Sequence, residues 1–240
     1  MLAALHLARA LPGSDTEIVL LEPAQAMGRG LAYATDDPRH LLNVRVANMS
    51  AFADRPDHLI EWLRSNSKHC KATDLRPFGF IPRGIYGAYL ADLAGGLVAS
   101  GVVRHVRDRC VDLIENPDAV ELRLEFGEAI AVEWAILATG NEAKSSLSGI
   151  PAVQPWAADS LSQLETQAPV LIIGSGLTMA DVVLSLDRGG HRGKIIALSR
   201  HGCLASAHRP VTPITVAAEE VPLGGNFPIW PGGCGAFRRL

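Results

Sequence analysis

The sequence predicts an α/β fold in which short parallel strands alternate with helices. An Ala- and Leu-rich helical segment at 1–11 is followed by a short apolar run at 18–21. Farther along, residues 170–186 form an apolar run, a glycine turn and a second helical segment. A third apolar run, at 194–200, follows that helix. Strands that alternate with helices in this way are typical of sheets covered by helices.

Composition limits the function classes. The 240 residues carry a formal net charge of −3, and 48% of them are hydrophobic. This balance argues against nucleic acid or an anionic membrane as a partner, so a small-molecule substrate is the expected partner. It does not indicate an oligomeric state.

The cysteines and the amino terminus indicate the compartment. The four cysteines are scattered without a CxxC pair, which argues against a disulfide scaffold, a zinc ribbon and a redox dithiol. No metal site is predicted, because the His and Cys residues lack ligand spacing. The apolar start contains Arg9 and has no basic segment before it, so it is typical of a helix rather than a signal peptide. We therefore expect a cytoplasmic protein.

In the remaining segments the spacing of apolar residues changes along the chain. The 24–56 segment is rich in Gly, Asn, Asp and Pro and predicts a long loop. Short alternating runs in the middle of the chain predict an antiparallel meander, followed by an apolar strand that runs into Thr139-Gly140. The predicted elements are helices at 57–66 and after Pro82, meander strands at 102–106, 109–114 and 119–126, and the apolar strand within 129–137.

The glycine turn is the sharpest motif. Gly174-Ser175-Gly176-Leu177-Thr178 joins the apolar run at 170–173 to a helix with one apolar face. In a dinucleotide site the first glycine allows the tight turn, and the second lets the backbone approach a pyrophosphate at the helix N-terminus. Met179 stands where a third Gly or Ala is usual. A plain strand-to-helix turn remains the alternative.

Two strand ends carry residues that suit a ribose. Arg200 ends the second strand of the glycine-turn unit, where an arginine suits the 2′-phosphate of NADP; a solvated surface arginine is the alternative. Glu22 ends the strand at 18–21, where an acidic residue binds a ribose hydroxyl pair; an ordinary charge at a strand end is the alternative. The glycine loop that normally accompanies Glu22 would precede the helix at 1–11, and the sequence starts within that helix.

These pieces together resemble the FAD/NAD(P)-binding flavoproteins, a family that includes the flavin monooxygenases. The resemblance covers about residues 1–205. The matching residues are Glu22-Pro23, Gly28-Arg29-Gly30-Leu31-Ala32-Tyr33, His40-Leu41-Leu42-Asn43-Val44, Met49-Ser50-Ala51, Pro82-Arg83, Tyr86-Gly87, Tyr89-Leu90, Ala138-Thr139-Gly140 and Gly174-Ser175-Gly176-Leu177-Thr178.

The resemblance implies a Rossmann-like flavoprotein fold with two dinucleotide-binding domains and a β-meander insertion. Residues 1–142 would form the FAD-binding domain without its first strand and GxGxxG loop. Residues 143–168 would be a connector, 169–218 the NAD(P)-binding domain and 219–240 an irregular tail. An absent first strand would leave the strands beside it without hydrogen-bond partners.

The resemblance also implies roles for individual residues. Glu22 would hold the FAD ribose, and Thr139-Gly140 would let the chain pass close to the cofactor. Asn43 and Met49 would lie near FAD. Arg83 would face the pyrophosphate or the isoalloxazine, with a surface arginine at a helix start as the alternative.

The implied reaction is hydride delivery from NADPH to flavin, after which the reduced flavin passes electrons to oxygen or an organic acceptor. In such chemistry the cofactors break the bonds, which is consistent with the absence of any acid–base constellation in the sequence. The missing dithiol disfavours a disulfide reductase, but monooxygenase and reductase both remain open.

Two other function classes remain as alternatives. One is a flavin-free NAD(P)-binding module, or an inactive fragment of such an enzyme. The other is a single-domain NADP dehydrogenase, which is disfavoured because it needs a Tyr-x-x-x-Lys pair after the glycine turn and no tyrosine follows Tyr89.

Overall fold

A computed structural model describes residues 1–66, 78–140, 152–155 and 160–209. The chain divides into a first unit, Met1–Leu204, and a second, Ala205–Leu240; residues 205–209 of the second contain neither helix nor strand. The predicted tail at 219–240 lies outside the described residues. The helices of the first unit are α1 (Leu2–Ala10), α2 (His58–Ser65), α3 (Arg83–Ala99) and α4 (Leu177–Arg188), with a 3-10 turn at Val46–Asn48. Its strands are β1 (Ile18–Leu21), β2 (Val103–Val106), β3 (Cys110–Glu115), β4 (Val120–Leu124), β5 (Ile130–Val132), β6 (Val170–Ile173) and β7 (Ile195–Leu198).

The predicted helices form within a few residues of their expected bounds. Each buries an apolar stripe; on α2, Leu59 and Leu63 are fully buried and lie four residues apart. None of the helices in the described ranges combines the length and apolar character needed to cross a bilayer.

Two parallel strand pairs carry the glycine turn and the strand before Glu22. Strands β1 and β2 pair in parallel, as do β6 and β7, with α4 between the latter two along the chain. Parallel strands need such a crossover because each must begin at the same end of the sheet. The mixture of helices and small sheets confirms the α/β class.

The meander prediction was wrong about its first strand. The segment at 102–106 forms β2 and pairs in parallel with β1, so the antiparallel meander consists of β3, β4 and β5. Val103 explains the difference, since it is only 2% exposed and packs with Ala4 and Ile18. An apolar side chain in that position is removed from water, whereas most of β3 is exposed.

The apolar strand predicted to run into Thr139-Gly140 does not form. Strand β5 ends at Val132, and residues 133–140 have no strand structure. Trp134 and Leu137 are 86% and 74% exposed. A strand needs a neighbour for its N–H and C=O groups, and no strand of the described residues pairs with this segment.

The main core forms between α2, α3 and the loop before α2. Tyr89 on α3 is fully buried, and its hydroxyl accepts a hydrogen bond from the Ala51 N–H at 3.1 Å. Val46, in the 3-10 turn of the loop, is also fully buried. This core fixes the long 24–56 loop, most of which has no regular structure, against α3.

Candidate functional site: two strand ends joined by a buried polar junction

The glycine turn is open on its outer side. Gly174 has a φ of 113°, a conformation that favours glycine. Gly176 precedes α4, and a Cβ built on it would meet nothing within 4 Å. Among the described residues no side chain caps α4, so there its first N–H groups have no side-chain acceptor. The turn therefore presents a helix N-terminus of the kind that binds phosphate.

The residues that follow the glycines are exposed, and a hydrogen bond links the turn to the segment after β7. Leu177 and Thr178 lie exposed in the first turn of α4. The Ser175 hydroxyl donates a hydrogen bond to the Cys203 carbonyl at 2.5 Å. This bond holds the turn beside the chain that leaves the carboxyl end of β7.

Arg200 lies at the same edge of the sheet as the glycine turn. Because β6 and β7 are parallel, with Ile173 opposite Leu198, their carboxyl ends are adjacent. Arg200 is exposed, and among the described residues no acidic side chain forms an ion pair with it. Within the described residues, its guanidinium therefore lies exposed at this edge without an acidic partner.

Glu22 lies at the carboxyl end of the other parallel pair. Its backbone N–H donates to the Val106 carbonyl at 3.1 Å, which continues the β1–β2 pairing by one step. Its Oε1 accepts a hydrogen bond from the Ala24 N–H at 3.0 Å. This bond fixes the carboxylate beside the strand end.

The other residues expected near FAD have different surroundings. Asn43 is exposed, and Met49 is half-buried against the main core. Thr139 and Gly140 are exposed beyond the unformed strand; Gly140 has a φ of 71°, which suits glycine. Their roles toward FAD stay predictions.

Arg83 is not a surface arginine. Its Nη1 lies 2.8 Å from Asp181 Oδ2, and the two side chains are 13% and 9% exposed. Arg83 also donates from Nε to the Leu41 carbonyl at 3.0 Å, and its backbone N–H donates to the His40 carbonyl at 2.8 Å. Its charge is therefore already paired, with a residue of α4 rather than a solvated partner.

His40 is the second contact to α4. Its Nε2 lies 3.1 Å from the Asp181 carbonyl oxygen and 3.0 Å from Ser185 Oγ. Because a carbonyl only accepts, Nε2 donates the hydrogen bond to Asp181. Nδ1 lies 2.8 Å from the Thr35 hydroxyl, so the buried imidazole is held from both sides.

Arg39 and Asp37 form the outer part of the same contact. Arg39 donates to the Leu184 carbonyl and pairs with Asp187 at 3.3 Å. The buried Asp37 carboxylate is 3.1 Å from Arg39 and 3.6 Å from Arg188. Burial by itself would raise the pKa of Asp37, but hydrogen bonds from the side chain and backbone of Arg39 outweigh it and lower the pKa to about 2.

We call these contacts the α4 junction, meaning residues 37–41 and Arg83 on one side and residues 181–188 of α4 on the other. Sequence reasoning did not find it. The available signals were the charged run Asp36-Asp37-Pro38-Arg39-His40 and an acidic residue, Asp181, beside the apolar positions of α4. Neither signal identifies its partner, because the two segments are far apart in sequence.

A cavity of about 670 Å³ adjoins the junction. It is bounded by the 31–40 loop, the 160–166 segment and the carboxyl half of α4. Its volume is in the range of small-molecule sites, and it lies along α4 past the glycine turn. His191 is buried in its wall, and neither ring nitrogen has a hydrogen-bond partner within the described residues. Within those residues no group of His, Cys, Asp or Glu could hold a metal ion.

An open helix N-terminus after a parallel strand, with an arginine at the end of the next strand, is an arrangement typical of nucleotide-binding α/β proteins. A family model described as FAD-NAD(P)-binding matches residues 1–142. The chain belongs to that family, and the match confirms the expected cofactors, FAD and NAD(P). No curated protein matches the chain.

Proposed function

We propose that this chain is a flavin-dependent NAD(P)H oxidoreductase. The observation that carries the proposal is the open glycine turn at Gly174–Gly176, in a chain whose first 142 residues match an FAD-NAD(P)-binding family. When bound, the two cofactors supply hydride transfer from NADPH to flavin, with oxygen or an organic molecule as final acceptor. The protein holds and orients them.

The domain assignment is part of this proposal. Residues 1–142 would bind FAD, with the meander β3–β5 inserted after β2, and residues 169–218 would bind NAD(P) after a connector at 143–168. Glu22 fits the FAD ribose because its carboxylate is held at a strand end. The FAD-side roles of Asn43, Met49, Thr139 and Gly140 belong here too.

The residues around the glycine turn would bind NAD(P). Gly174, Ser175 and Gly176 would approach the pyrophosphate through their backbone, and the first turn of α4, with Leu177 and Thr178, would offer its N–H groups. Arg200 would pair with the 2′-phosphate. A small-molecule substrate is the partner that we propose, and the cavity beside α4 has the volume for one.

The test combines flavin binding with a charge placed in the glycine turn. Purified protein loaded with FAD should show a flavin absorption spectrum, and anaerobic NADPH should bleach it. Gly176→Asp places a carboxylate where the pyrophosphate would lie, so we expect the Kd for NADP⁺ to rise at least about tenfold.

Gly176→Asn is the matched control. It has the same shape without the charge and enters the same open space, so its Kd should stay within about threefold of the wild type. Equal Kd values for the two variants would remove the glycine turn from the site. Binding of NADP⁺ without any bound flavin would instead support a flavin-free NAD(P)-binding module.

A further inference from the structure

The α4 junction connects the two cofactor sides of the first unit. On one side lie the segment 37–41 and Arg83, which belong to the part that matches the FAD-NAD(P)-binding family. On the other side lies α4, the helix that begins at the glycine turn. The side-chain contacts that cross between them include Arg83 with Asp181, His40 with Ser185, and Arg39 with Asp187.

Asp181 lies close to the nucleotide end of α4. The helix begins at Leu177, so Asp181 is about one turn into it. A helix is stiff over that length, and a shift of its N-terminus moves the Asp181 carboxylate. A displacement of the glycine turn therefore changes the position of the Asp181 carboxylate relative to Arg83.

Arg83 also forms hydrogen bonds with the 40–42 segment. Its Nε holds the Leu41 carbonyl and its backbone N–H holds the His40 carbonyl. Leu41 and Pro82 also form an isolated antiparallel bridge. Asn43 follows this segment directly, so the chain that Arg83 holds leads to a residue expected near FAD.

The ion pair contributes more to geometry than to stability. Both side chains are almost fully buried, and the two charges lose most of their hydration there. Burial is also the larger influence on Asp181, whose carboxyl pKa it raises although Arg83 acts in the opposite direction. Buried pairs of this kind are often replaceable by apolar residues without loss of stability, but they fix how the two elements meet.

We propose that Arg83 and Asp181 are positioning residues that couple NAD(P) binding at the glycine turn to the 37–43 segment on the FAD side. The coupling rests on the proposed function, since it needs both cofactors to bind. Binding of one cofactor restricts the junction to one arrangement, and the second cofactor then meets a segment that is already ordered.

The experiment measures the Kd of NADP⁺ by calorimetry in flavin-free and FAD-loaded protein. In the wild type we expect the two Kd values to differ at least about fivefold, a typical size for coupled sites. In Arg83→Met/Asp181→Leu, which removes both charges and retains apolar volume, we expect the ratio to fall to within about twofold of one. The melting temperature of the double variant should stay close to that of the wild type.

The control removes an exposed ion pair elsewhere. Arg104 and Glu17 pair at 2.5 Å, and their side chains are 50% and 63% exposed. Arg104→Met/Glu17→Gln should leave the ratio of Kd values unchanged, because an exposed pair contributes little. A fall in the ratio for this variant would overturn the assignment of coupling to the junction.

The outcomes separate the coupling from the proposed function. A wild-type ratio of one, or an unchanged ratio in a folded Arg83→Met/Asp181→Leu variant, overturns the coupling while both cofactors still bind. Absence of NADP⁺ and flavin binding in the wild type overturns the proposed function and the coupling with it. If the double variant does not fold, amide exchange of the wild type decides: NADP⁺ should slow exchange at 37–43, and no change overturns the proposal.

Discussion

Under the proposed function, single side chains at the two strand ends would decide which nucleotide binds at each end. Glu22 and Arg200 occupy equivalent places, each at the carboxyl end of a strand in a parallel pair. A carboxylate suits the two hydroxyls of a ribose, whereas a guanidinium suits a phosphate on the 2′ position. Under the proposed function, this difference in charge would favour FAD at one end and NADP at the other.

Arg200→Gln should therefore change the coenzyme preference. We expect kcat/KM for NADPH to fall about tenfold or more, because the 2′-phosphate loses its charged partner, while the value for NADH changes little. Arg64→Gln on α2 is the matched control, since Arg64 is also exposed and lies far from the glycine turn in sequence. Steady-state rates with both coenzymes check this, and an equal loss with NADPH and NADH would show that Arg200 does not distinguish them.

At the scale of elements, the close approach of α3 holds the 33–35 loop in place. A Cβ on Gly84 would lie 2.5 Å from the Thr35 carbonyl oxygen, and one on Gly87 would overlap the Tyr33 carbonyl oxygen. The rings of Tyr33 and Tyr86 also meet edge to face, with centroids 4.9 Å apart. Helix and loop can be this close only because the helix has glycine at both positions.

Gly87→Ala should force α3 and the loop apart. Alanine normally stabilises a helix, but here its methyl group meets backbone, so we expect the free energy of unfolding to fall by about 1–3 kcal/mol. Gly95→Ala on the same helix is the control: its site is exposed, with nothing within 4 Å, and we expect a gain of about 0.5–1 kcal/mol. Urea unfolding checks both values, and a gain at both positions would contradict the close approach.

The sequence alone predicted most of the single elements. Apolar runs bounded by Pro or Gly marked β1 and β6, and Gly174 and Gly176 marked the turn, because these signals are local. The pairing of each strand with its neighbour was harder to predict. The pairing of β2 with β1 depends on Val103 reaching a core that forms from distant residues, and the strand expected before Gly140 depends on a neighbour that the pattern cannot supply.

For the candidate site too, local features could be predicted from the sequence, whereas contacts between distant residues could not. The strand-end residues could be predicted because dinucleotide sites place them at fixed spacings. The buried partners of Arg83 could not, since Asp181 is about a hundred residues away and no short motif links the two. Contacts between distant segments are decided by packing of the whole unit, and only the structure shows them.

At the scale of the whole molecule, acid should weaken the fold through carboxylates whose pKa values are lowered. Asp37 is held by Arg39, which lowers its pKa to about 2 from an ordinary 3.8. A lowered pKa means that its stabilisation is present above about pH 4 and is lost as the pH falls toward 2. Arg39 is about one third exposed and solvent screens the pair, so we expect a contribution of about 1 kcal/mol.

Asp37→Asn isolates this contribution. At pH 7 the variant should unfold at lower urea than the wild type, because Arg39 and Arg188 lose their carboxylate, and the difference should shrink as the pH is lowered from 4 to 2. Asp118→Asn, at an exposed turn of the meander without an ion pair among the described residues, controls for the loss of one negative charge. Free energies of unfolding in urea at a series of pH values check the prediction. A difference between the wild type and Asp37→Asn that stays constant down to pH 2 would show that the ionised Asp37 does not hold the loop to α4.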